Sequence, residues 1–391
     1  MLTLSEAQEK LLAMPTTMPI VHVASTDALG RILAEPLVAR RTQPAADLSA
    51  MDGYAIAGDG PWTITGESRC GAPFSAVIEQ GQAARISTGA WMPEGTDRVL
   101  IQENAARDGA SLSLTGDMPQ AGRHIRRAGF DFAEGQALLP AGTAIGPAQL
   151  ALAMAAGHGT IPVRARPAVA VIDCGDELSA DPENCLDNQI PATNGPMLAA
   201  MIAGLATTRR SGPVGDDRDA LRAAFASAED CEVIVTSGGA SVGDHDLVRP
   251  VLESMGADIA LWRVAIKPGK PLMIARLGHT IVVGLPGNPV SSFVTANLFL
   301  LPLLRAMAGY GDPLPRPVPA RLGAPLEPTG KRMEFIRAAW SDGVVTPLAE
   351  QDSSSLATLA RANALIWRDA DQRAAEPGAD VRALLVSAPI A

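Results

Sequence analysis

Two stretches of this chain have residue types and spacing suited to phosphate chemistry. The β-branched run Val233-Ile234-Val235 leads into Ser237-Gly238-Gly239-Ala240-Ser241-Val242-Gly243, then Asp244 and Asp246, and then the helix-like segment LVRPVLESM. Glycines directly after a strand let backbone N–H groups approach an anion, and a helix starting there adds the positive end of its dipole. The two acids cannot bind a phosphate themselves, but they can hold a Mg²⁺ that does. At 266–271, IKPGKP sets Lys267 and Lys270 on either side of a Pro-Gly turn. Lysine is scarce: of 32 basic residues only Lys10, Lys267, Lys270 and Lys331 are lysines, so half of them occupy one four-residue turn. An ammonium is a compact point charge suited to phosphate; the plainer reading is a basic surface turn. Neither GxxxxGK[ST] nor GxGxxG is present.

These stretches need elements to position them. From residue 167 the pattern is α/β. The run AVAVIDC (168–174) is continuously apolar up to its Asp, as in a buried parallel strand, and GDEL follows it. Helices are expected at 195–205, 219–228 and 247–255, and strands at 232–237, 259–266, 272–276 and 280–285. After LPGNP (285–289) comes a long apolar helix to about 307. Strands alternating with helices predict a three-layer doubly wound domain, whose ligands bind outside the carboxyl ends of the strands. GDEL, SGGASVGDHD, IKPGKP and LPGNP all fall at such ends.

The remainder reads as three further modules. Residues 1–44 carry two expected short helices, 5–14 (with Ser5 and Gln8 at capping-box spacing) and 27–35. The helix 147–156, begun by Pro147 and ended by Gly157, returns the chain to that region. Between them, WTITG, AVIEQG, AARISTGA, RVLIQEN and SLSLTG suggest a compact antiparallel β domain. Within it Asp52 lies in a turn and reads as structural when taken alone, Thr88 ends a strand, and Arg126-Arg127 is either an anion clamp or a solvated face. Residues 308–391 read as a small β domain with a Ser-capped helix at 351–363; there Arg337 and Ser353–Ser355 are oxyanion contacts or caps. The expected domains are 1–44 plus 134–166, 45–133, 167–307 and 308–391.

Composition excludes several classes. A chain of 391 residues exceeds one core, and 47% hydrophobic with 19% charged residues is ordinary for a globular protein. The net charge of −10 argues against a general nucleic-acid binder. Four scattered cysteines give no CxxC pair, so neither zinc nor a disulfide scaffold is expected. No signal-peptide pattern and no run of eighteen apolar residues appear, so the expectation is a cytoplasmic protein without a membrane partner.

Taken together, SAMDGYA, TGA, HIRRAG, GDEL, SGGASVGDHD, AIKPGKP and LPGNPVSS resemble, in order and spacing, the molybdopterin molybdenumtransferase (MoeA) family, which includes the gephyrin E domain. The resemblance covers essentially the whole chain. It implies an elongated four-domain homodimer using adenylylated molybdopterin, molybdate and Mg²⁺. Such an enzyme places molybdenum on the pterin dithiolene and releases AMP, in a cleft between subunits. It also implies the adenylyltransferase and apo-molybdoenzymes as protein partners. By resemblance, Asp52, Thr88, Arg126 and Asp131 serve from the inserted domain, and Glu177, Asp246, Lys267 and Lys270 from the α/β domain. Gly238, Gly239, Ser241 and Gly243 would cradle phosphate, Asp246 with Glu177 would hold Mg²⁺, and Pro286 and Pro289 would shape a pocket beside the lysines. Arg337 and Ser353 would contact molybdate.

The chain departs from the family pattern at three places. Cys174 stands where Thr or Ser is usual, Ala192 where an Asp is usual, and Asp352 where a Gly is usual before the matching serine. Two other readings of the same fold are an enzyme that adenylylates the pterin and a non-catalytic dimeric scaffold. The inserted and C-terminal β domains favour the transferase over the former. Asp246, Lys267 and Lys270 together favour catalysis over the latter.

Overall fold

The computed structural model describes residues 1–238 and 247–386; Gly239, Ser241, Gly243 and Asp246 lie outside the described residues. The chain forms two compact units. One comprises Met1–Val21, Gly30–Ala34 and Val163–Ala391, the other His22–Leu29 and Glu35–Pro162.

The first unit begins with helix α1 (Leu4–Leu12). Its capping box is Thr3 with Glu6, not Ser5 with Gln8: Glu6 accepts from the Thr3 amide and Thr3 Oγ1 from the Glu6 amide. The same spacing occurs two residues earlier, which leaves Gln8 buried and available for another contact. The α/β domain then runs β1 (Ala168–Cys174), α2 (Asn194–Ile202), β2 (Thr207–Val214), α3 (Arg218–Ala226), β3 (Val233–Ser237), α4 (Val248–Ser254), β4 (Asp258–Arg263), β5 (Ile266–Lys267), β6 (Pro271–Leu277) and β7 (Thr280–Leu285). Six of these strands form one sheet, in the order β2-β1-β3-β7-β6-β4. The first four are parallel; β6 and β4 add an antiparallel edge.

Strand periodicity sorts the buried residues into two layers. Val169, Val171, Val233 and Val235 pack with α2 and the long helix on one face. Ala170, Ile172 and Ile234 pack with Leu221, Phe225, Val251 and Leu252 on the other. The expected three-layer α/β domain is present.

The long helix consists of Pro289–Thr295, a π segment Ala296–Leu300 and Leu301–Met307. It is long and apolar enough to cross a membrane by composition, but 78% of that window is buried in the protein core. Pro302 has no N–H to donate to Leu298 O, four residues back. Gln8 Nε2 reaches this buried carbonyl at 2.9 Å instead. The π segment thus has an identifiable cause and a side-chain repair.

β5 leaves the parallel sheet's company and pairs in parallel with Met333–Ser341, aligning Lys267 with Glu334. The C-terminal strands follow the order Met333–Ser341, Val344–Pro347, Val318–Leu322, Asp380–Leu385 and Ala364–Arg368, and the last pairs back onto the first. This closes a small barrel around Ala338, Val345, Ile366 and Ala383. The helix there spans only Leu356–Arg361, and Ser355 at its N-cap makes no side-chain capping bond.

The second unit holds a six-stranded sheet, ordered Arg98–Ile101, Gly53–Ile56, Gln82–Ile86, Trp62–Ser68, Ser111–Leu114 and Ala105–Asp108. Its core is Ile56, Trp62, Ala83, Leu100 and Leu112. One pair, Trp62–Ser68 with Gln82–Ile86, is parallel rather than antiparallel, and residues 76–81 form no strand. No helix forms over 27–35; only a 3₁₀ turn, Ser25–Asp27, precedes Gly30 at φ 74°. The expected helix Pro147–Ala155 is present, ending before Gly157 at φ 93°.

Gln8→Leu should destabilise the protein by about 1–3 kcal/mol, the cost of an unsatisfied buried carbonyl. A chemical-denaturation midpoint unchanged from wild type would refute this role.

Candidate active site

The residues that follow β1 and β7 meet Ser237 and Gly238, at the end of β3, where the parallel strands end. Asn194, at the start of α2, ties them: its Nδ2 donates to Ser237 Oγ at 2.7 Å and to Gly287 O at 2.6 Å. Gly238 has φ 92°, and a Cβ there would meet Cys174 O at 2.7 Å, so only glycine lets the β3 loop pass β1. The result is a cavity of about 750 Å³ whose lining includes Asp173, Glu177, Ala192, Asn194, Gly238 and Asn288. Pro286 and Pro289 line this cavity rather than that of the lysines.

A second cavity of about 720 Å³ is lined by Lys267, Lys270, Arg332, Glu334, Asp352 and Ser353, among others. Both lysines are exposed, and Gly269 (φ 99°) packs against Thr295, keeping the turn between them tight. Glu334 pairs with Lys267 at 3.3 Å, the side-by-side contact that the β5 register dictates. The two cavities share a wall: Asn288 Nδ2 donates to Ser353 Oγ at 3.0 Å, and the Val290 amide to Ser353 O at 3.2 Å.

Arg337 lines neither cavity. It is 1% exposed, and its guanidinium donates to Ser355 O and Glu350 O, both at 3.2 Å, so it holds the 350–355 loop from beneath. Burial lowers its pKa from the usual value. Asp352 is ionised well into acid: the Ser354 hydroxyl, at 2.6 Å, and amide, at 2.9 Å, hold its carboxyl below the usual range. The cavity thus carries a fixed negative charge beside its lysines.

In the second unit, three motif segments meet. Asp52 Oδ1 accepts from the Thr88 amide at 2.8 Å and hydroxyl at 3.2 Å. The Gly89 amide donates to Ser49 O, and the Ala50 amide to His124 O, both at 2.8 Å. Arg126, exposed, lies on a two-residue strand opposite Leu48. Asp131 is exposed, its amide bonded to Gln43 O at 3.0 Å.

Sequence reasoning missed Asp173, Asn194, Asn288 and Glu334. The signal for Asp173 was available: a carboxyl inside an otherwise apolar run. It is 3% exposed with Oδ1 unpartnered. Burial raises its pKa, opposed by the Gly195 N–H and Arg210. The other carboxylate in the cavity lining is Glu177, which is exposed. Among the described residues no group of three His, Cys, Asp or Glu could hold a metal. A Mg²⁺ bound here would take one or two carboxylates, of which Glu177 is the exposed one in the lining, and complete its shell from water and substrate phosphates.

The fold and cavities define a multidomain α/β protein with a cavity at the sheet's switch point, where ligands of such sheets bind. Comparison narrows this. Residues 2–157 match the MoeA N-terminal region (domain I and II), 170–306 a probable molybdopterin binding domain, and 319–386 the MoeA C-terminal region (domain IV). The chain is 35% identical over 374 residues to molybdopterin molybdenumtransferase 2 of Mycobacterium tuberculosis, covering 90% of each chain. It is 32% identical to molybdopterin molybdenumtransferase of Bacillus subtilis, covering 93% of this chain and 89% of that one. The crystal structure of a molybdopterin biosynthesis MoeA protein from Pyrococcus horikoshii superposes with a TM-score of 0.82 at 27% identity, covering 98% of both chains. The chain belongs to the molybdopterin molybdenumtransferase (MoeA) family.

The Asp173 pKa is raised on folding, so the stability it lends is present below the unfolded value and lost as pH rises through the folded value. Asp173→Asn should therefore raise the Tm at neutral and alkaline pH, with the gain vanishing in acid. A gain that instead grew in acid would contradict the assigned direction.

Proposed function

We propose that this protein inserts molybdenum into adenylylated molybdopterin, using molybdate and releasing AMP. The observation that carries this reading is the pairing of the two cavities. One lies at the strand ends against Ser237 and Gly238, and the other carries Lys267 and Lys270, with a shared wall at Asn288 and Ser353. Cleavage of a phosphoanhydride needs alignment and charge neutralisation more than a covalent nucleophile.

The cavity at the strand ends would take the pterin and its phosphates, with Gly238 offering close backbone approach. Glu177 and Asp246 would hold Mg²⁺, which supplies charge neutralisation on the phosphates. Lys267 and Lys270 would bind and orient the molybdate dianion, with Ser353 as a hydroxyl contact. Glu334 fixes the Lys267 ammonium, and Arg337 supports the loop that carries Ser353. Asp52, Thr88, Arg126 and Asp131 would contribute from the second unit. Their placement on that unit fits the expected homodimer, in which the site is completed by a second copy. Action in the cytoplasm, receiving substrate from the adenylyltransferase and supplying apo-molybdoenzymes, accords with this role.

The test is AMP release from adenylylated molybdopterin, with Mg²⁺ and molybdate each present or omitted. Molybdate-dependent release is expected, and absence of release with both molybdate and tungstate would overturn the proposal in favour of a scaffold. Asp246→Ala should abolish Mg²⁺-dependent turnover; a fully active variant would remove Asp246 from the site. Lys270→Ala should raise the molybdate concentration needed for half-maximal release by roughly tenfold or more, the scale of one charge-assisted contact. Asp352→Gly, which removes the negative charge beside the lysines, should lower that concentration several-fold at unchanged maximal release. An unchanged molybdate dependence would show that Asp352 does not tune the site.

A further inference from the structure

Among the tryptophans whose side chains are described, only Trp91 is exposed, at 50%. Strand register fixes what stands beside it. Leu48 bridges Trp91 on one side and pairs with Arg126 on the other, both antiparallel. The Ser49 amide donates to Ala90 O and the Met92 amide to Asp47 O, both at 2.9 Å. Leu48 and Trp91 are therefore a non-hydrogen-bonded pair, the more closely spaced of the two kinds in such a ladder. Residues directly opposite one another point to the same side of a sheet. Trp91, Leu48 and Arg126 thus share one face of this three-stranded patch, and Ala90, Ser49 and Ile125 share the other. Burial agrees: Ala90 and Ser49 are buried and Ile125 packs on Ala55, Ile86 and Val99, whereas Trp91 and Arg126 are exposed. The backbones of Trp91 and Arg126 stand about 10 Å apart across Leu48, two strand spacings.

The Arg126 guanidinium is uncommitted. Asp47 is taken by Arg127 Nη1 and by the Ala128 amide at 2.9 Å, and Asp52 by Thr88. Among the described residues no ion pair includes Arg126.

An exposed indole and an unpaired guanidinium on one face match a ligand that carries both a flat ring and an anion. A base stacks on an aromatic side chain, and a phosphate accepts paired N–H bonds from a guanidinium. An apolar protein surface laid over the patch would instead bury Arg126 without a counter-charge, which is costly. The transferase reading gives places to the pterin, its phosphates and molybdate, and leaves the adenosine of the adenylyl group unplaced. Resting on that reading, we propose that Trp91 and Arg126 bind the adenylyl group, the indole stacking on adenine and the guanidinium pairing with the phosphate.

The experiment is isothermal titration calorimetry of AMP, adenosine and ribose 5-phosphate into the full-length protein, with the assembly mass followed by sedimentation. It compares wild type with Trp91→Ala, Trp91→Phe and Arg126→Ala. Trp91→Ala should weaken AMP and adenosine alike by about tenfold, the scale of one base–aromatic stack, and leave ribose 5-phosphate unchanged. Trp91→Phe should restore most of that loss. Arg126→Ala should weaken AMP and ribose 5-phosphate by about tenfold and leave adenosine unchanged. No AMP binding to wild type, or AMP binding unchanged by Trp91→Ala, would overturn the proposal. Binding lost only as the assembly dissociates would also overturn it, in favour of a subunit contact at Trp91. These readouts do not require turnover. Molybdate-dependent AMP release together with AMP binding that ignores Trp91 refutes this assignment alone. Trp91-dependent AMP binding without such release refutes the transferase reading and leaves a nucleotide site.

Discussion

The site in the first unit depends on one carboxamide. Asn194 Nδ2 donates at once to Ser237 Oγ at the end of β3 and to Gly287 O in the LPGNP loop, from the first residue of α2. Loops at the ends of parallel strands have no ladder to hold them in register, so a polar pin between them decides the shape of the cavity they enclose. In a buried setting such bonds are expensive to break, because each released partner would remain unsatisfied. The cavity at the strand ends is therefore a consequence of hydrogen bonding as much as of sheet topology.

A second dependence concerns the lysines. β5 is two residues long, yet its pairing with Met333–Ser341 fastens the IKPGKP turn to the C-terminal barrel and sets Lys267 beside Glu334. The same barrel strand carries Arg337, which supports the 350–355 loop and with it Ser353 and Asp352. The lysine cavity is thus assembled from the α/β domain and the barrel jointly. A stand-alone α/β domain would lack most of its wall.

Stability and chemistry conflict at several points. The long apolar helix contains a proline and a π segment, and a glutamine from the N-terminal helix satisfies the carbonyl left over. Asp173 places a carboxyl where the strand pattern calls for an apolar residue, and Asp352 places a negative charge beside two lysines. Local rules broken without an evident structural return are where function is expected to reside. Asp173 and Asp352 both line the candidate active-site cavities, as does Ala192.

By itself the sequence determined the α/β class, most of its strands and helices to within a few residues but not the edge strand β2, and the family. The class and the elements follow from hydrophobic periodicity and from glycine and proline at the turns, the family from the resemblance of its motifs in order and spacing. It was misleading at 27–35 and 76–81, where apolar residues suggested regular elements but glycine geometry and tertiary packing produced turns. Only the tertiary structure decided that Pro286 and Pro289 belong with Asp173 rather than with the lysines, that Arg337 supports a loop instead of lining a cavity, and that Asp352 is locked to Ser354. Each of these depends on which side of a turn faces a neighbour far away in sequence, and no local spacing encodes that. Gln8 is the clearest case: its capping spacing was legible, but its bond to Leu298, 290 residues away, exists only because folding brings a carbonyl orphaned by Pro302 within reach.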